Sequence, residues 1–262
     1  MEKVKAFTVR MLERHPYGYR LGVFFLDNMD ILLPHEADYL AFPLLARIDS
    51  QERVKTILDI GANRGHSSRA FLKLLPDWDV IAFEANSLHQ KNLEKIRLQN
   101  TSRFSYRIGA ITDSAKGNLT LFTPFYGRIA MHSASALSRT EALEGVMSAF
   151  PDQAGKFTVR ETSTSTLNID SLGLDLSFVK VDIQGEELHA LQGMSDTINR
   201  CMPVILVEMN LKQSGISDFL KLKGYEPFVY NANKNEMEPG FGSHSVQCRN
   251  QFFLPQRLLS RL

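Results

Sequence analysis

The sequence has little cysteine: only Cys201 and Cys248 occur in 262 residues. Neither belongs to a CxxC pair or a Cys/His ligand spacing, which argues against a zinc site or a disulfide framework. No run approaches the ~20 apolar residues of a membrane span. Charges also interrupt the N-terminal segment, where a signal peptide needs an apolar core. We therefore expect a cytoplasmic protein with no membrane span.

The sequence also lacks an excess of either charge, because 30 Lys and Arg balance 29 Asp and Glu, for a net charge of +1. No overall field then favours nucleic acid as a partner. The hydrophobic share of 44% and the charged share of 23% are ordinary for a globular domain. The composition predicts one α/β domain of ordinary size and leaves the function to local sites.

The first fifty residues read as a helical cap, with Pro34 near a helix start before an apolar stripe. The basic N-terminal segment fits a helix packed on the domain or a basic amphipathic helix at a surface. From residue 51 to 262, short apolar runs alternate with amphipathic segments. This order predicts a doubly wound, mostly parallel α/β sheet with crossover helices.

Strands and helices are predicted at alternating positions along this part of the chain. The strand candidates are Lys55–Ile60, Asp79–Glu84, Phe104–Ile108, Ser177–Asp182 and Val204–Glu208. The helix candidates are Ser67–Leu75, Leu88–Gln99, Glu186–Ile198 and Ile216–Lys223. The segments Tyr225–Tyr230 and Gln251–Leu254 can close the sheet as a hairpin around the polar loop Asn231–Gly242.

An insertion at about 118–160 interrupts this alternation with a short strand and a stretch that contains Gly and Ser. Long excursions from an α/β core are typical of lids and binding loops, although a surface decoration fits nearly as well. The insertion contains Arg128 and His132, and His132 is a candidate general base because its ordinary pKa is near neutrality. We expect this segment to choose the substrate.

The strongest local signal is an apolar strand that runs into a glycine turn and then a helix, LDIGANRG at 58–65. Gly61 and Gly65 let the backbone approach a ligand, and the helix start offers N–H groups. A tight turn without a ligand is the alternative. The next strand, VIAFE at 80–84, ends in Glu84, which is placed to accept hydrogen bonds from ribose hydroxyls. Together the two segments predict a nucleoside site.

The glycine pattern distinguishes between nucleosides, because Asn63 stands where the GxGxxG motif of dinucleotide enzymes has its second glycine. Asp59 would repel a pyrophosphate, whereas it can help to hold the cationic amino acid part of S-adenosylmethionine, directly or through water. The turn therefore favours S-adenosylmethionine over NAD.

A further strand, FVKVD at 178–182, places Lys180 and Asp182 on one face because side chains alternate. At the sheet edge, Asp182 can accept a proton, orient a hydroxyl group or bind a divalent cation such as Mg²⁺. It can equally cap the next helix. Lys180 can pair with Asp182, and Glu208 makes a metal site with Asp182 conceivable.

These segments resemble the FkbM family of methyltransferases in the order LDIGANRGHSS, VIAFEAN, TSTLNID, FVKVDIQGEELHALQGM and VILVEMN, over about Val54–Asn210. The family often has Glu where Gln184 stands and Ala where Glu186 stands. The resemblance implies a Rossmann-like class I fold and S-adenosylmethionine as cofactor. The cofactor residues that it implies are Asp59, Gly61, Ala62, Asn63 and Gly65 near the methionine part, Glu84 followed by Ala85 at the ribose, and Gly109 and Ala110 near the adenine.

The resemblance implies O-methylation of a small-molecule or glycan hydroxyl. The catalytic candidates come from the residue chemistry above and are Asp182, Lys180 and His132. Methylation of nitrogen or a carboxyl group needs the same cofactor pocket and stays open. A non-catalytic module that binds S-adenosylmethionine is an alternative of another class. The sequence names neither the acceptor nor the oligomeric state.

Overall fold

The computed structural model describes residues 17–18, 37–49, 54–114, 117–209, 215–242 and 250–262. The chain forms two compact units. The main unit comprises Pro34–Gly117 and Ser165–Leu262. The insertion unit comprises Asn118–Thr164 together with Met1–Leu33, of which only residues 17 and 18 are described.

The helices and strands follow the predicted alternation. The strands are β1 Thr56–Ile60, β2 Asp79–Glu84, β3 Phe104–Ile108, β4 Ala110–Ile111, β5 Asn118–Tyr126, β6 Ile129–Ala130, β7 Phe157–Leu167, β8 Phe178–Val181, β9 Val204–Glu208, β10 Tyr225–Asn231, β11 Glu236–Pro239 and β12 Asn250–Pro255. The α-helices are α1 Ala41–Ile48, α2 His66–Leu74, α3 Gln90–Gln99, α4 Arg139–Ala149, α5 Glu187–Gln192, α6 Ser195–Cys201, α7 Gly215–Leu222 and α8 Gln256–Leu259.

The main unit is built on an eight-stranded sheet in the order β11-β10-β12-β9-β8-β1-β2-β3. Strands β9, β8, β1, β2 and β3 pair in parallel, whereas β12 pairs antiparallel with β9 and β10. The chain moves outward from β1 to β2 and β3, then returns to β8 on the other side of β1. Such a reversal of strand order opens a crevice at the carboxyl ends of the strands, where ligands bind in this class of fold.

Helices cover both faces of this sheet, so the predicted doubly wound α/β fold is confirmed. Neighbouring residues of β1 show this, because Ile57 belongs to one buried cluster and Leu58 to the other. Phe178 and Val179 of β8 divide in the same way. The alternation follows from the strand period of two, which sends successive side chains to opposite faces.

The five predicted parallel strands are present, with ends that differ by at most one residue, but two other predictions need correction. The predicted helix Glu186–Ile198 is two helices, α5 and α6, separated at Gly193 and Met194. A Cβ on Gly193 would lie 2.1 Å from the carbonyl oxygen of Thr112, so the chain packs there at backbone distance. The predicted polar loop Asn231–Gly242 contains β11, which pairs antiparallel with β10.

The described part of the predicted N-terminal cap is a short 3₁₀ turn, Ala37–Leu40, followed by α1. Phe42 of α1 is fully buried and contacts the rings of Phe71 and Phe178. The predicted helix start at Pro34 and the basic N-terminal segment lie outside the described residues, as does Cys248. Within the described ranges, every helix is too short or too polar to cross a membrane.

The insertion unit contains more regular structure than the single short strand predicted for it. Strand β5 forms a hairpin with β6 and lies beside β7. Helix α4 contributes Val146 to a small buried cluster with Ile129, Met131 and Phe150. The guanidinium of Arg160 lies 4.1 Å from the ring centre of Phe125, a cation–π contact within this unit.

The main unit keeps its two junctions with the insertion close together. The amide and the hydroxyl of Thr166 both donate to the carbonyl oxygen of Gly117, each at 3.1 Å. Residues 110 and 111 of β4 pair in parallel with residues 166 and 167 of β7. The point where the chain leaves the main unit and the point where it returns therefore lie within hydrogen-bonding distance of each other.

Candidate functional site

The glycine turn connects β1 to α2 with three residues in the left-handed region. Gly61 has φ +78°, Asn63 has φ +50° and Gly65 has φ +84°. The amides of Gly61 and Ala62 donate to the carbonyl oxygen of Phe83 at 2.9 and 3.1 Å, which fixes the turn to β2. Glycine tolerates this backbone geometry without a steric cost, so the sequence pattern has a physical reason.

Gly61 is also a point of close backbone approach. A Cβ at this position would lie 1.8 Å from the carbonyl oxygen of Asp182 and 2.9 Å from a side-chain carbon of Ile183. The amide of Asp182 donates to the carbonyl oxygen of Ile60 at 3.1 Å. The turn after β1 and the end of β8 therefore pack directly against each other.

Glu84 is buried at the end of β2 and contacts this turn. Its Oε2 accepts a hydrogen bond from the amide of Asn63 at 2.7 Å, and its Oε1 accepts one from the amide of Asn86 at 2.7 Å. Burial raises the pKa of Glu84 from 4.5 to about 7, although the two amides partly offset the effect. A carboxylate has about four lone-pair positions, so it can still accept from hydroxyl groups.

Asp59 is fully buried before the turn, and protein groups surround its carboxylate. Its Oδ2 accepts hydrogen bonds from the hydroxyls of Ser67 and Ser68 at 2.7 and 2.5 Å. Its Oδ1 lies 3.6 Å from the Nζ of Lys180. In this arrangement Asp59 joins β1 to the first turn of α2 and to β8. The two serines were not among the predicted site residues.

Lys180 lies buried between two carboxylates. Its Nζ is 3.1 Å from the Oδ2 of Asp182 and donates to the carbonyl oxygen of Gly61 at 3.3 Å. Burial alone would lower the pKa of Lys180, but the attraction of Asp182 and Asp59 outweighs it and holds the pKa well above its usual range. The ammonium therefore stays charged, and the predicted pair of Lys180 with Asp182 is present.

Asp182 is more exposed to solvent than the Lys180 with which it pairs. Its side chain is 31% exposed, whereas that of Lys180 is 5% exposed. The residue follows β8 at the carboxyl edge of the sheet, beside the glycine turn. One of its carboxylate oxygens faces the ammonium of Lys180, and the exposed part of the group can accept hydrogen bonds from a ligand.

Gly109 and Ala110 continue the same edge beyond β3. The amide of Gly109 donates to the carbonyl oxygen of Glu84 at 2.9 Å, and a Cβ on Gly109 would lie 2.5 Å from a methyl carbon of Leu167. Ala85, which directly follows Glu84, is partly buried. The structure thus brings the predicted cofactor residues of β1, β2 and β3 to adjoining positions.

The remaining candidates lie elsewhere or have other surroundings. His132 begins a short 3₁₀ helix, His132–Ala134, in the insertion unit. Glu208 is partly buried at the end of β9, opposite Asn250 of β12. Among the residues that the structure describes, no group of three or more His, Cys, Asp and Glu side chains is arranged to hold a metal ion. The structure therefore does not support the conceivable Mg²⁺ site of Asp182 and Glu208.

Sequence reasoning also missed Glu187, the first residue of α5. Its side chain is fully buried, and its carboxylate accepts hydrogen bonds from the amides of Ile183 and Gly185. Burial raises the pKa of Glu187, against the effect of these amides. An acidic residue in the first turn of a helix that follows a glycine loop is the signal that indicates such a contact.

The charges of the site suit a cationic ligand. Asp59, Glu84 and Asp182 are three carboxyl groups near the ammonium of Lys180. A pyrophosphate would meet repulsion here, whereas a ligand with hydroxyls for Glu84 and a positive charge would be attracted. The residues present therefore fit S-adenosylmethionine, which has both a ribose and a sulfonium cation.

Several solved structures that are similar to this chain are described as methyltransferases, and their sequence identity to it is low. An FkbM methyltransferase from Methylobacillus flagellatus KT is 14% identical with a TM-score of 0.46, over 78% of this chain and 45% of that chain. This chain thus spans less than half of that protein. A precorrin-6y C5,15-methyltransferase from Geobacter metallireducens GS-15 is 12% identical with a TM-score of 0.38, over 80% and 83% of the two chains.

An rRNA methylase from Streptococcus thermophilus is 7% identical with a TM-score of 0.40, over 83% of this chain and 90% of that one. No curated protein matches the chain significantly. The family assignment instead comes from sequence, because the methyltransferase FkbM domain matches residues 59–227, from Asp59 before the glycine turn to β10. The chain therefore belongs to the FkbM family of methyltransferases.

Proposed function

We propose that the protein is an S-adenosylmethionine-dependent O-methyltransferase that acts on a hydroxyl group of a small molecule or glycan. The observation that carries this proposal is the contact between the glycine turn and the end of β8. It brings the turn with Glu84, the candidate nucleoside site, next to a partly exposed carboxylate, that of Asp182. A methyl donor and an acceptor must meet in just such a neighbourhood.

In this proposal the main unit holds the cofactor. Glu84 accepts hydrogen bonds from the ribose hydroxyls, the turn from Gly61 to Gly65 faces the methionine part, and Gly109 and Ala110 lie near the adenine. Asp59 keeps the turn in place through Ser67, Ser68 and Lys180. When bound, S-adenosylmethionine supplies a methyl group that is already activated by its sulfonium.

Asp182 acts on the acceptor. Its exposed carboxylate can accept a hydrogen bond from the acceptor hydroxyl, orient its oxygen and take its proton. Lys180 orients Asp182 and balances its charge, because the ammonium is buried and also fixed to the Gly61 carbonyl. His132 is the alternative general base. The insertion unit, about 118–160, chooses the acceptor, since its sequence matches none of the cofactor motifs.

The cofactor is tested by calorimetry with S-adenosylhomocysteine and NAD. We expect S-adenosylhomocysteine to bind at about −7 to −8 kcal/mol and NAD not to compete. Glu84→Ala should weaken binding by roughly 1 to 3 kcal/mol, the scale for hydrogen bonds to a charged group. Tighter binding of NAD than of S-adenosylhomocysteine would overturn the assignment.

The reaction is tested with isotopically labelled S-adenosylmethionine and separate panels of sugars, hydroxylated lactones, amines and carboxylic acids. We expect label in products that survive alkaline hydrolysis, as ethers do and methyl esters do not. Asp182→Asn should lower the rate by about 10²-fold or more while S-adenosylhomocysteine affinity changes little. Label that appears only in amines or in alkali-labile products contradicts O-methylation.

The same assay separates the possible roles of Asp182. Activity that withstands EDTA is expected if the carboxylate acts directly, and His132→Asn then tests the alternative base. A loss of activity with EDTA that Mg²⁺ restores contradicts direct action. If Asp182→Asn melts early but turns over normally once folded, the carboxylate is a helix cap and has no catalytic role.

A further inference from the structure

The loop from Asp182 to Glu186 joins the end of β8 to α5 through an unusual backbone path. Gln184 has φ +60° and Gly185 has φ +116°, both in the left-handed half of backbone space. Residues with a Cβ rarely adopt such angles, so neighbouring contacts must hold Gln184 there. Gln184 and Gly185 are both exposed, which means that core packing does not fix them.

Glu187 supplies the contacts that fix this path. Its Oε1 accepts hydrogen bonds from the amides of Ile183 and Gly185 at 3.0 and 3.2 Å, and its Oε2 accepts a second contact from Gly185 at 3.0 Å. The side chain is 0% exposed. A buried carboxylate is costly unless donors satisfy it, and the amides of Ile183 and Gly185 supply those donors.

The loop that Glu187 contacts packs directly against the glycine turn. The carbonyl oxygen of Asp182 and the side chain of Ile183 occupy the space where a Cβ of Gly61 would lie. One residue before Gly61, the carbonyl oxygen of Ile60 accepts a hydrogen bond from the amide of Asp182. A displacement of the peptide group between Asp182 and Ile183 must therefore displace Gly61 or open a gap beside it, because the Asp182 carbonyl packs directly against Gly61.

We propose that Glu187 is a positioning residue for the cofactor turn: its buried carboxylate fixes residues 183–185 and so holds the end of β8 against Gly61. The inference rests on the proposed function for the identity of the ligand. It means that Glu187, which lies outside the nucleoside motifs, contributes to the affinity for that ligand.

The test compares Glu187→Met with Glu187→Gln by calorimetry with S-adenosylhomocysteine. A Gln oxygen in the place of Oε1 keeps the bonds from both Ile183 and Gly185, whereas Met has a similar length and accepts neither well. We expect Glu187→Met to weaken binding by about tenfold and Glu187→Gln by less than about threefold. Equal affinities of wild type and Glu187→Met overturn the inference.

Hydrogen exchange gives a readout that is independent of the ligand. The amides of Ile183 and Gly185 should exchange about tenfold faster in Glu187→Met than in wild type, while the amides of β1 stay protected. Unchanged exchange at these two amides also overturns the inference. If Glu187→Met does not fold, Glu187→Asp replaces it, because its shorter chain withdraws the oxygens by about 1.5 Å.

Asp170→Ala is the control for the loss of a carboxylate that accepts two backbone amide hydrogen bonds elsewhere in the main unit. Asp170 accepts hydrogen bonds from the amides of Asp196 and Thr197 at the start of α6. We expect this variant to lower the melting temperature without a change in S-adenosylhomocysteine affinity. If Asp170→Ala loses as much S-adenosylhomocysteine affinity as Glu187→Met, the loss of any carboxylate that accepts amide hydrogen bonds lowers the affinity. That result contradicts a specific role of Glu187.

The two proposals fail separately. Absence of S-adenosylhomocysteine binding to the folded wild type contradicts the proposed function, while the exchange of the Ile183 and Gly185 amides still decides whether Glu187 holds the loop. Normal binding to wild type with unchanged binding to Glu187→Met contradicts only the positioning role.

Discussion

Glu84 shows how the burial of one carboxyl group makes the stability of the folded chain depend on pH. Burial places its pKa at about 7 in the folded chain, against 4.5 without burial. Because the folded-state pKa is raised, the folded chain binds this proton more tightly than the unfolded chain. The contribution to stability is complete below about pH 4.5 and is lost as pH rises through about 7, a difference of about 3 kcal/mol.

We expect S-adenosylhomocysteine binding to release a proton from Glu84. Under the proposed function, ribose hydroxyls donate to the ionised carboxylate, so the bound state favours ionisation. Affinity should then rise with pH up to about 7 and level off above it. Calorimetry near pH 6 in two buffers of different ionisation enthalpy measures the proton count. Glu84→Gln, which cannot ionise, is the control, and equal proton release from both proteins contradicts the prediction.

The strand-to-helix turn after β1 depends on glycine for two reasons that mutations can separate. Gly61 needs both a left-handed backbone and space for the Asp182 carbonyl, whereas Gly173 has φ +60° and no atom within 4 Å of a Cβ. We expect Gly61→Ala to lower the free energy of unfolding by roughly 2 to 5 kcal/mol. Gly173→Ala should cost only about 1 to 2 kcal/mol, the backbone part.

Chemical denaturation of the two variants measures the difference. S-adenosylhomocysteine affinity should fall with Gly61→Ala and stay unchanged with Gly173→Ala, because only the first position touches the candidate site. Similar losses of stability at the two positions would show that the close approach to Asp182 contributes nothing.

The junction between α5 and α6 is a second place where steric contact decides against local preference. Gly193 has φ −71°, an ordinary helical value, so helix propensity alone predicts that Gly193→Ala stabilises the protein by up to about 1 kcal/mol. Contact of the new Cβ with the Thr112 carbonyl predicts instead a loss of about 1 to 3 kcal/mol. Denaturant unfolding of Gly193→Ala decides the sign, with Gly155→Ala, which has open space around it, as the control.

The sequence predicted local features well and long-range contacts poorly. Apolar runs and their spacing located β1, β2, β3, β8 and β9, since a buried parallel strand has a clear period and composition. The break at Gly193 was missed, and so was the backbone contact there, because the Thr112 carbonyl oxygen that lies beside Gly193 is about eighty positions earlier in the chain. The periodicity on both sides of Gly193 is that of one continuous helix.

The candidate site shows the same limit. The strand-end positions of Glu84 and Asp182 follow from the periodicity of β2 and β8. The partners of Asp59 do not, because Ser67 and Ser68 reach it only after α2 folds back onto β1. The place of Glu187 in the first turn of a helix after a glycine loop was a signal for its contact. The left-handed φ of Gln184 beside it had none, because its residue type usually avoids that region.

The division into two units predicts that the main unit folds without the insertion. Thr166 donates to Gly117 across the junction, so a short Gly-containing turn can replace residues 118–164. We expect the shortened chain to unfold cooperatively and to bind S-adenosylhomocysteine within about threefold of wild type. Thermal melting and calorimetry check both, and a chain that is unfolded or does not bind contradicts the independence of the main unit.

The closeness of Gly117 and Thr166 has a consequence for the history of such a chain. Loop-closure entropy rises only with the logarithm of loop length, so a segment whose ends already touch can grow, shrink or be exchanged at little thermodynamic cost to its host. Under the proposed function, lineages can recombine this one segment to acquire new acceptors while inheriting the donor site intact. When this segment is exchanged between relatives, residues 117 and 166 are suitable junctions. The carbonyl oxygen of Gly117 holds them together, because it accepts both hydrogen bonds from Thr166.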